Sequence, residues 1–306
     1  MAEGRSGIRD FFQNALARGV LGAALILPYP LRVRLVGFVV SRVMAPLSGW
    51  NRRIRENLAH AMPETTAEHR RAIVREVTDN VGRTLIEIYS GEGFIERTKS
   101  SSLTGPGLER LKSARADGRP IVLVTAHFGN YDAVRGKLSR EGSPMAALYR
   151  PMDNAAFNDH YVRAISRIAT PVFPTDGRGI SSLIRHLKEG GIIGIVADVA
   201  SRKAPVLSFF GKPAHTPLSA AEWALKYDAL LVPIFGVRQP DGLTFHLVVE
   251  DPIEGETPEA MMQAYNDVVE KHARANPGQW FWVHRRWKLS PAAAESAASA
   301  VAPPQA

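Results

Sequence analysis

The chain has 306 residues, of which 45% are hydrophobic and 22% charged, and it carries a net charge of +8 and no cysteine. The length allows one large domain or two small ones, and the absence of cysteine excludes disulfides, thiolate metal sites and a cysteine nucleophile. The positive charge indicates an acidic partner: nucleic acid, anionic lipid or an acidic protein. Because no array of stacking aromatics, zinc spacing or helix-turn-helix pattern accompanies it, we do not expect that partner to be nucleic acid.

Residues 1–50 predict a helical segment that associates with a membrane. Residues 19–31 carry no charge and residues 35–40 are again apolar, but Arg32 and Arg34 interrupt the stretch and Pro28 would break a continuous helix. A transmembrane helix needs about 20 apolar residues. The pattern therefore favours an anchor that lies in the bilayer interface, with flanking arginines on anionic headgroups. The alternative is a helical hairpin packed on the core, and the two interpretations are compatible.

Residues 51–290 predict an α/β domain that begins with helices at 51–62 and 66–94. After Arg119, strands and helices alternate. Strands are predicted at 121–125, 145–149, 171–173, 192–197, 230–235 and 243–249, and helices at 131–139, 156–168, 180–188, 219–227 and 258–275. Such alternation is typical of a mainly parallel sheet flanked by helices. Residues 291–306, rich in Ala, Ser and Pro, predict a disordered tail.

The most informative motif lies at the end of the first of these strands. The apolar run from Ile121 stops just before His127, and Asp132 follows five residues later, in the first turn of the next helix. Open α/β sheets bind ligands at the carboxyl ends of their strands. A carboxylate at Asp132 could accept one imidazole N–H and leave the other ring nitrogen as a general base. Since no nucleophilic side chain accompanies the pair, it predicts group transfer onto an alcohol or amine of the substrate.

A histidine followed by an aspartate is also common by chance, but further motifs follow in order. They are Tyr149-Arg150-Pro151-Met152-Asp153-Asn154, Arg163 with Arg167, Gly190-Gly191, Asp198, Phe209-Phe210-Gly211, Gln279-Trp280 and His284-Arg285-Arg286-Trp287-Lys288. Over roughly residues 51–288 the series resembles the bacterial lipid A biosynthesis acyltransferases (the lauroyl and myristoyl late acyltransferases) of the lysophospholipid acyltransferase superfamily. Val199 departs from that family's usual Asp-Gln pair, which puts the acceptor in question more than the reaction.

The resemblance implies transfer of a fatty acyl chain from acyl carrier protein to a hydroxyl of a membrane glycolipid, at the cytoplasmic face of the bacterial inner membrane. A thioester is already activated, so it implies no metal and no cofactor beyond the phosphopantetheine that the donor carries. His127 would be the general base and Asp132 the group that orients it. Backbone N–H groups from Phe128 to Asn130, including that of Gly129, would stabilise the oxyanion.

Three further residues are expected at the substrate. Arg150 follows a neighbouring strand and Arg167 lies on the next helix, and their guanidinium groups suit phosphates of the glycolipid or of the phosphopantetheine arm. For Arg167 the alternatives are that Arg163 makes the contact or that it forms a surface ion pair. Asp198, at another strand end, would hold Arg167, contact substrate or merely cap its strand.

Other functions stay open from the sequence alone. The same chemistry could act on another membrane lipid, such as a phosphatidylinositol mannoside, an ornithine lipid or a lysophospholipid. Water as the acceptor would make the protein a thioesterase. From a different class, the chain could be a non-catalytic module that binds an anionic membrane surface, although the histidine and aspartate at a strand end argue against it.

Overall fold

The computed structural model describes residues 2–289, with side chains from residue 14 onward. The tail predicted at 291–306 lies outside the described residues. The described strands are Ser102–Thr104 (β1), Ile121–Thr125 (β2), Met145–Tyr149 (β3), Val172–Pro174 (β4), Ile192–Val196 (β5), Val206–Phe209 (β6), Lys212–His215 (β7), Leu230–Arg238 (β8) and Phe245–Val249 (β9). The described α-helices are Ala2–Ile26 (α1), Tyr29–Val39 (α2), Ala45–Leu47 (α3), Trp50–Ala61 (α4), Ala67–Tyr89 (α5), Glu92–Lys99 (α6), Leu108–Ala116 (α7), Asp132–Arg140 (α8), Ala155–Ile168 (α9), Gly177–Lys188 (α10), Ser219–Lys226 (α11) and Pro258–Ala275 (α12).

A seven-stranded sheet with the order β1-β9-β8-β2-β5-β3-β4 forms the centre of the molecule. Neighbouring strands run parallel except β8 and β9, which are antiparallel, and β6 and β7 form a separate hairpin. Every residue of β2 is buried, because helices cover both faces of the sheet and a strand in that position reads as a continuous apolar run. The predicted α/β class with a mainly parallel sheet is confirmed.

The long helix α5 supports one side of the sheet edge where β2 ends. It starts at Thr66, whose hydroxyl accepts a hydrogen bond from the backbone N–H of His69 at 3.2 Å. The predicted helix at 66–94 is in fact two helices. Gly91 has a φ of 54°, a left-handed conformation that glycine adopts without strain, and the chain turns there between α5 and α6.

The N-terminal helices form a packed hairpin rather than one continuous helix. The chain breaks between α1 and α2 at Pro28, and a π-helical turn, Val40–Met44, follows α2. Helix α2 packs along α5 at very short range, since a Cβ added to Gly82 would lie 2.7 Å from the carbonyl oxygen of Val36. No described helix is both long and apolar enough to cross a membrane.

The opposite side of this N-terminal hairpin leaves apolar side chains exposed. Between residues 14 and 50, the large hydrophobic side chains that face solvent are those of Leu16, Val20, Ile26, Leu31, Leu35, Phe38, Val39, Val43, Met44 and Leu47. Most of the exposed large hydrophobic side chains of the described chain lie in this segment. We call this set the N-terminal apolar surface.

Candidate active site

The imidazole of His127 is held by the carboxylate of Asp198. The two residues follow β2 and β5, which are neighbours in the sheet, so both lie at its carboxyl edge. His127 Nδ1 lies 2.8 Å from Asp198 Oδ1, and the backbone N–H of His127 donates to Oδ2 at 3.0 Å. The indole N–H of Trp280 donates to the same Oδ2 at 2.9 Å. Three donors therefore fix a carboxylate that is only 2% exposed.

This arrangement sets the protonation states of the pair. Burial opposes ionisation of Asp198, but the charge of His127 and the hydrogen bonds from it outweigh burial, so the pKa of Asp198 lies well below its usual range. An ionised carboxylate at Nδ1 keeps the proton on that nitrogen. Nε2 of His127 is then the nitrogen that can accept a proton from a substrate.

Asp132 is not the partner of His127, and this prediction is corrected. Its carboxylate accepts a hydrogen bond at 2.6 Å from Arg135, which lies three residues further along α8 and is therefore on the same helix face. Arg135 also donates to the carbonyl oxygen of Ala169 at 2.8 Å. Asp132 is 2% exposed and borders the same cavity as His127. Its position near the site was predicted correctly, but its contact was not.

The turn after His127 does not offer its backbone N–H groups to an oxyanion, so this prediction is also wrong. Phe128 N–H donates to the carbonyl oxygen of Ala126 at 2.7 Å. The N–H of Gly129 donates to Gln279 at 3.0 Å, and that of Asn130 to Gly236 at 3.0 Å. The segment around Trp280 covers the turn like an additional short strand and accepts the hydrogen bond of Gly129, so all three donors have partners within the protein.

Gly129 and Asn130 hold the turn after His127 through contacts within the protein. Gly129 has a φ of 52°, and a Cβ there would clash with the carbonyl oxygen of Gly236. The buried side chain of Asn130 donates to Glu87 at 2.7 Å and accepts from the backbone N–H of Asp132 at 3.0 Å. Both residues were predicted as substrate-binding, which stays a prediction, and the hydrogen bonds of the Asn130 side chain are made within the protein.

A buried ion pair lies under this turn. Glu87 of α5 is fully buried and pairs with Arg238 at the end of β8, with donor–acceptor distances of 2.6 and 2.7 Å. Arg238 Nε also donates to Asn80 at 2.7 Å. Asn80 in turn donates to the carbonyl oxygen of Gly129 at 3.1 Å. Through Asn80, the ion pair thus connects α5 to the turn that follows His127.

A cavity of about 710 Å³ opens beside His127, and we call it the large cavity. Its apolar wall includes Leu123, Val134, Met145, Ile165, Val172, Ile195 and Ile234. Arg150, which is exposed, lies at its border as the sequence predicted. Asp132 and Arg135 supply a charged but mutually paired part of the wall. The cavity can therefore take a long apolar group with one polar end.

Arg167 is not among the residues that border this cavity. It lies exposed on α9 together with Arg163. The positive charges of both residues and of Arg18 affect the pKa of His160. The pKa of His160 is lowered by burial first and by these three guanidinium groups next. Asp198 holds His127 and not Arg167, so the predicted roles of Arg167 in the site are not supported by its position.

Two aromatic side chains that border the large cavity complete the site, and the sequence predicted a catalytic role for neither. The ring of His284 lies 4.7 Å from that of His127, edge to face, and its Nε2 is buried with no described hydrogen-bond partner. Burial is the main cause that lowers the pKa of His284 to about 4, so its ring is neutral at neutral pH. Burial also raises the pKa of the Tyr131 hydroxyl well above its ordinary value, so this group stays a donor.

The donor set of the site resembles that of a metal site but fits a hydrogen-bond network better. One ligand atom each of His127, Asp198 and His284 lies within 4.8 Å of the others. Asp198 already accepts hydrogen bonds from the backbone and ring of His127 and from Trp280. A metal ion on Asp198 would compete with these hydrogen bonds for the carboxylate.

Comparison with known proteins finds similarity to acyltransferases. The sequence model for bacterial lipid A biosynthesis acyltransferases matches residues 9–289. The chain is 27% identical to the lipid A biosynthesis lauroyltransferase of Escherichia coli K12, over 90% of this chain and 91% of that protein. It is 25% identical to the palmitoleoyltransferase of the same organism, over 89% and 90%. It is 21% identical to a phosphatidylinositol mannoside acyltransferase of Mycobacterium tuberculosis, over 78% of each chain.

Proposed function

The chain belongs to the bacterial lipid A biosynthesis acyltransferase family, and we propose that it transfers a fatty acyl chain to a hydroxyl group of a lipid A precursor. The proposed donor is a thioester of acyl carrier protein, and the proposed location is the cytoplasmic face of the bacterial inner membrane. The observation that carries the proposal is the hydrogen bond of 2.8 Å between His127 and Asp198, at the border of a cavity with an apolar wall.

In the proposed reaction, His127 acts as the base and then as the acid. Nε2 takes the proton of the acceptor hydroxyl while the hydroxyl oxygen attacks the thioester carbonyl carbon. The tetrahedral intermediate collapses, the C–S bond breaks, and Nε2 returns the proton to the leaving thiolate. The products are an ester and a free thiol, and Asp198 stabilises the imidazolium between the two steps. Such acid–base help contributes about 10²–10⁴-fold in rate.

The oxyanion of the intermediate needs donors other than the backbone of the turn. The hydroxyl of Tyr131 and the ring of His284 both border the large cavity, and both belong to groups that are neutral at neutral pH. We propose that these two side chains donate to the oxyanion. A neutral donor serves this purpose without adding a positive charge that would compete with His127 for the carboxylate of Asp198.

The acyl chain of the donor is proposed to occupy the large cavity. Its wall is mainly aliphatic, and burial of apolar chain contributes about 0.8 kcal/mol per CH₂ group. Arg150 at its border suits the phosphate of the phosphopantetheine arm. Arg202 and Lys203, exposed on the loop after Asp198, supply further positive charge for an acidic carrier.

The N-terminal apolar surface is proposed to rest on the bilayer. Arg18, Arg34 and Arg42 are exposed in the same segment, and Arg52 is exposed just after it. Apolar side chains beside cationic ones are typical of a helix that lies in the interface of an anionic membrane. Since the lipid acceptor resides in that membrane, this surface would bring the site to its substrate.

An assay with purified components tests the proposal. The wild-type protein, His127→Ala and Asp198→Asn are incubated with a defined acyl carrier thioester and a tetra-acylated lipid A precursor, and the products are measured by mass spectrometry. We expect one added acyl chain with the wild type and none above background with His127→Ala. Equal transfer from acyl-coenzyme A would contradict the requirement for acyl carrier protein. Full activity of His127→Ala would contradict the role of His127 as general base.

A second acceptor is favoured by one specific observation. The similarity to the phosphatidylinositol mannoside acyltransferase extends over 78% of the chain, so the same site could act on a different glycolipid. The lipid composition of a strain that lacks this protein distinguishes the two proposed acceptors. Lipid A that lacks one secondary acyl chain supports the first, and unchanged lipid A beside another under-acylated lipid supports the second.

A further inference from the structure

A second apolar groove, distinct from the large cavity, also reaches His127. It has a volume of about 190 Å³ and lies between α5 and the segment Gln279–Phe281. His127 and Tyr131 border both this groove and the large cavity. The proposed general base therefore stands where two separate spaces meet. We call the second space the α5 groove.

The apolar wall of the α5 groove comes from one face of a helix. Val77, Val81, Leu85 and Ile88 recur at intervals of four, four and three residues and line it together. Leu85, near the C-terminal end of α5, is 39% exposed, so it is not covered by another element of the described chain. Phe281 closes the opposite side.

Three polar side chains of the α5 groove, apart from His127 and Tyr131, already have partners in the protein. Asn80 and Thr84 both donate to the carbonyl oxygen of Gly129, at 3.1 and 3.0 Å. The side chain of Gln279 accepts from and donates to the backbone of Arg238, at 2.8 Å in each case. These groups hold the turn after His127 in place. The surface left for a ligand is therefore mainly hydrocarbon.

The groove is also connected to the helices that carry the N-terminal apolar surface. Ile88 of the groove belongs to a hydrophobic cluster against which Leu21 and Leu25 of α1 pack. Leu16 and Val20 on the same helix are exposed by 69% and 63%. A lipid held at that surface could thus extend a chain along α5 toward His127.

We propose that the α5 groove binds a hydrocarbon chain of the acceptor lipid, close to the hydroxyl that is acylated. This inference rests on the proposed function, because that reaction brings two lipid substrates to one base. The large cavity takes the chain that is transferred. The smaller α5 groove takes only a short segment of a chain of the acceptor. An acceptor without such a chain would lack this contact and bind more weakly.

Substitutions in the groove test this assignment. Leu85→Gln keeps side-chain length and helix propensity at a partly exposed position, and Val81→Phe fills the groove. Leu225→Gln, at a position 42% exposed on α11, is the matched control. The probes are a tetra-acylated lipid A precursor and the same glycolipid after removal of its ester-linked chains.

We expect Leu85→Gln and Val81→Phe to raise the KM for the acylated precursor about three- to tenfold, the loss expected for one partly buried apolar contact. The KM for the acyl donor should stay at the wild-type value, and the control should match the wild type for both substrates. With the deacylated glycolipid, wild type and Leu85→Gln should have equally high KM values, because this acceptor lacks the chain that the groove binds.

An unchanged acceptor KM in both groove variants would overturn the assignment, as would a changed donor KM with an unchanged acceptor KM. Either result would leave the proposed function intact, because the wild type would still transfer the acyl chain. A wild-type protein that transfers no acyl chain to any lipid would overturn the proposed function, and the assignment of the groove with it.

Discussion

Nδ1 of His127 lies 2.8 Å from Oδ1 of Asp198, a residue 71 positions further along the chain. The pairing depends on strand order, because β2 and β5 are adjacent and both residues follow the ends of these strands. Asp132, five positions from His127 in sequence, is instead bound to Arg135. One carboxylate therefore holds His127 and the other, at the border of the same cavity as His127, is paired with Arg135, so the two should respond differently to substitution.

Asp198→Asn should abolish most activity while leaving the fold intact. An asparagine can still accept from Trp280 and from the backbone of His127, but it no longer stabilises the imidazolium. We expect kcat to fall about 10²–10⁴-fold, the range seen for loss of such acid–base help, with little change in KM. Steady-state kinetics beside a thermal unfolding curve measure both quantities. A kcat within a factor of two of the wild type would exclude Asp198 as the group that orients His127.

Asp132→Asn should act mainly on stability. It leaves the buried guanidinium of Arg135 without its counter-charge, and loss of one partner of a buried ion pair costs about 3–5 kcal/mol. The double variant Asp132→Asn/Arg135→Gln removes both charges and should recover part of this loss. Chemical denaturation of the three proteins provides the measurement. A single variant as stable as the wild type, but inactive, would instead assign Asp132 a direct role in catalysis.

The sequence predicted the strands that carry the site better than the contacts within it. The bounds of β2 and β3 agree with the prediction, because apolar runs flanked by turn residues mark buried strands. The three-residue edge strand β1 and the hairpin of β6 and β7 were not predicted. The exposed residues of β1 and β6 interrupt any apolar pattern there.

The partner of His127 could not be read from spacing. In chain order β3 follows β2, yet β5 separates them in the sheet, and only that order brings Asp198 to the imidazole. The backbone donors after His127 were mispredicted for a related reason. The N–H groups of Gly129 and Asn130 donate to Gln279 and Gly236, 150 and 106 positions further along the chain, and no local pattern places these acceptors there.

His284 should make stability depend on pH between its unfolded and folded pKa values. Its pKa is about 4 in the folded protein against 6.5 for an ordinary histidine, so the unfolded chain binds the proton more tightly. The neutral ring's contribution to the free energy of unfolding is fully present above about pH 6.5. It is lost at up to about 1.4 kcal/mol per pH unit as the pH falls toward 4.

The matched variant is His284→Gln, which cannot titrate. Its unfolding free energy should decline less steeply than that of the wild type between pH 6.5 and 4. Denaturant unfolding at several pH values gives both slopes. Parallel slopes for the two proteins would mean that His284 is not held neutral by burial.

The loop after Asp198 should contribute to docking of the acyl carrier. Reversing two exposed charges, in Arg202→Glu/Lys203→Glu, should raise the KM for the carrier thioester roughly tenfold at low salt and less at high salt, because salt screens exposed charges. A short pantetheine thioester, which lacks the acidic protein, should be used equally by variant and wild type. Charge reversal at Arg71, exposed on α5, is the control. A salt-independent KM would argue against electrostatic docking.

The N-terminal apolar surface should decide how firmly the protein binds vesicles. Removal of residues 1–49 is a poor test, because Tyr29, Val33 and Gly37 of α2 are buried against the body of the protein. Substitution of Leu16, Phe38 and Leu47 by Gln changes only exposed side chains. Full burial of one such side chain contributes about 1.5–3 kcal/mol. Partial burial of three should therefore lower binding to anionic vesicles by roughly tenfold or more, measured by co-sedimentation. Leu225→Gln controls for an exposed leucine elsewhere, and unchanged binding of the triple variant would place the membrane contact outside this surface.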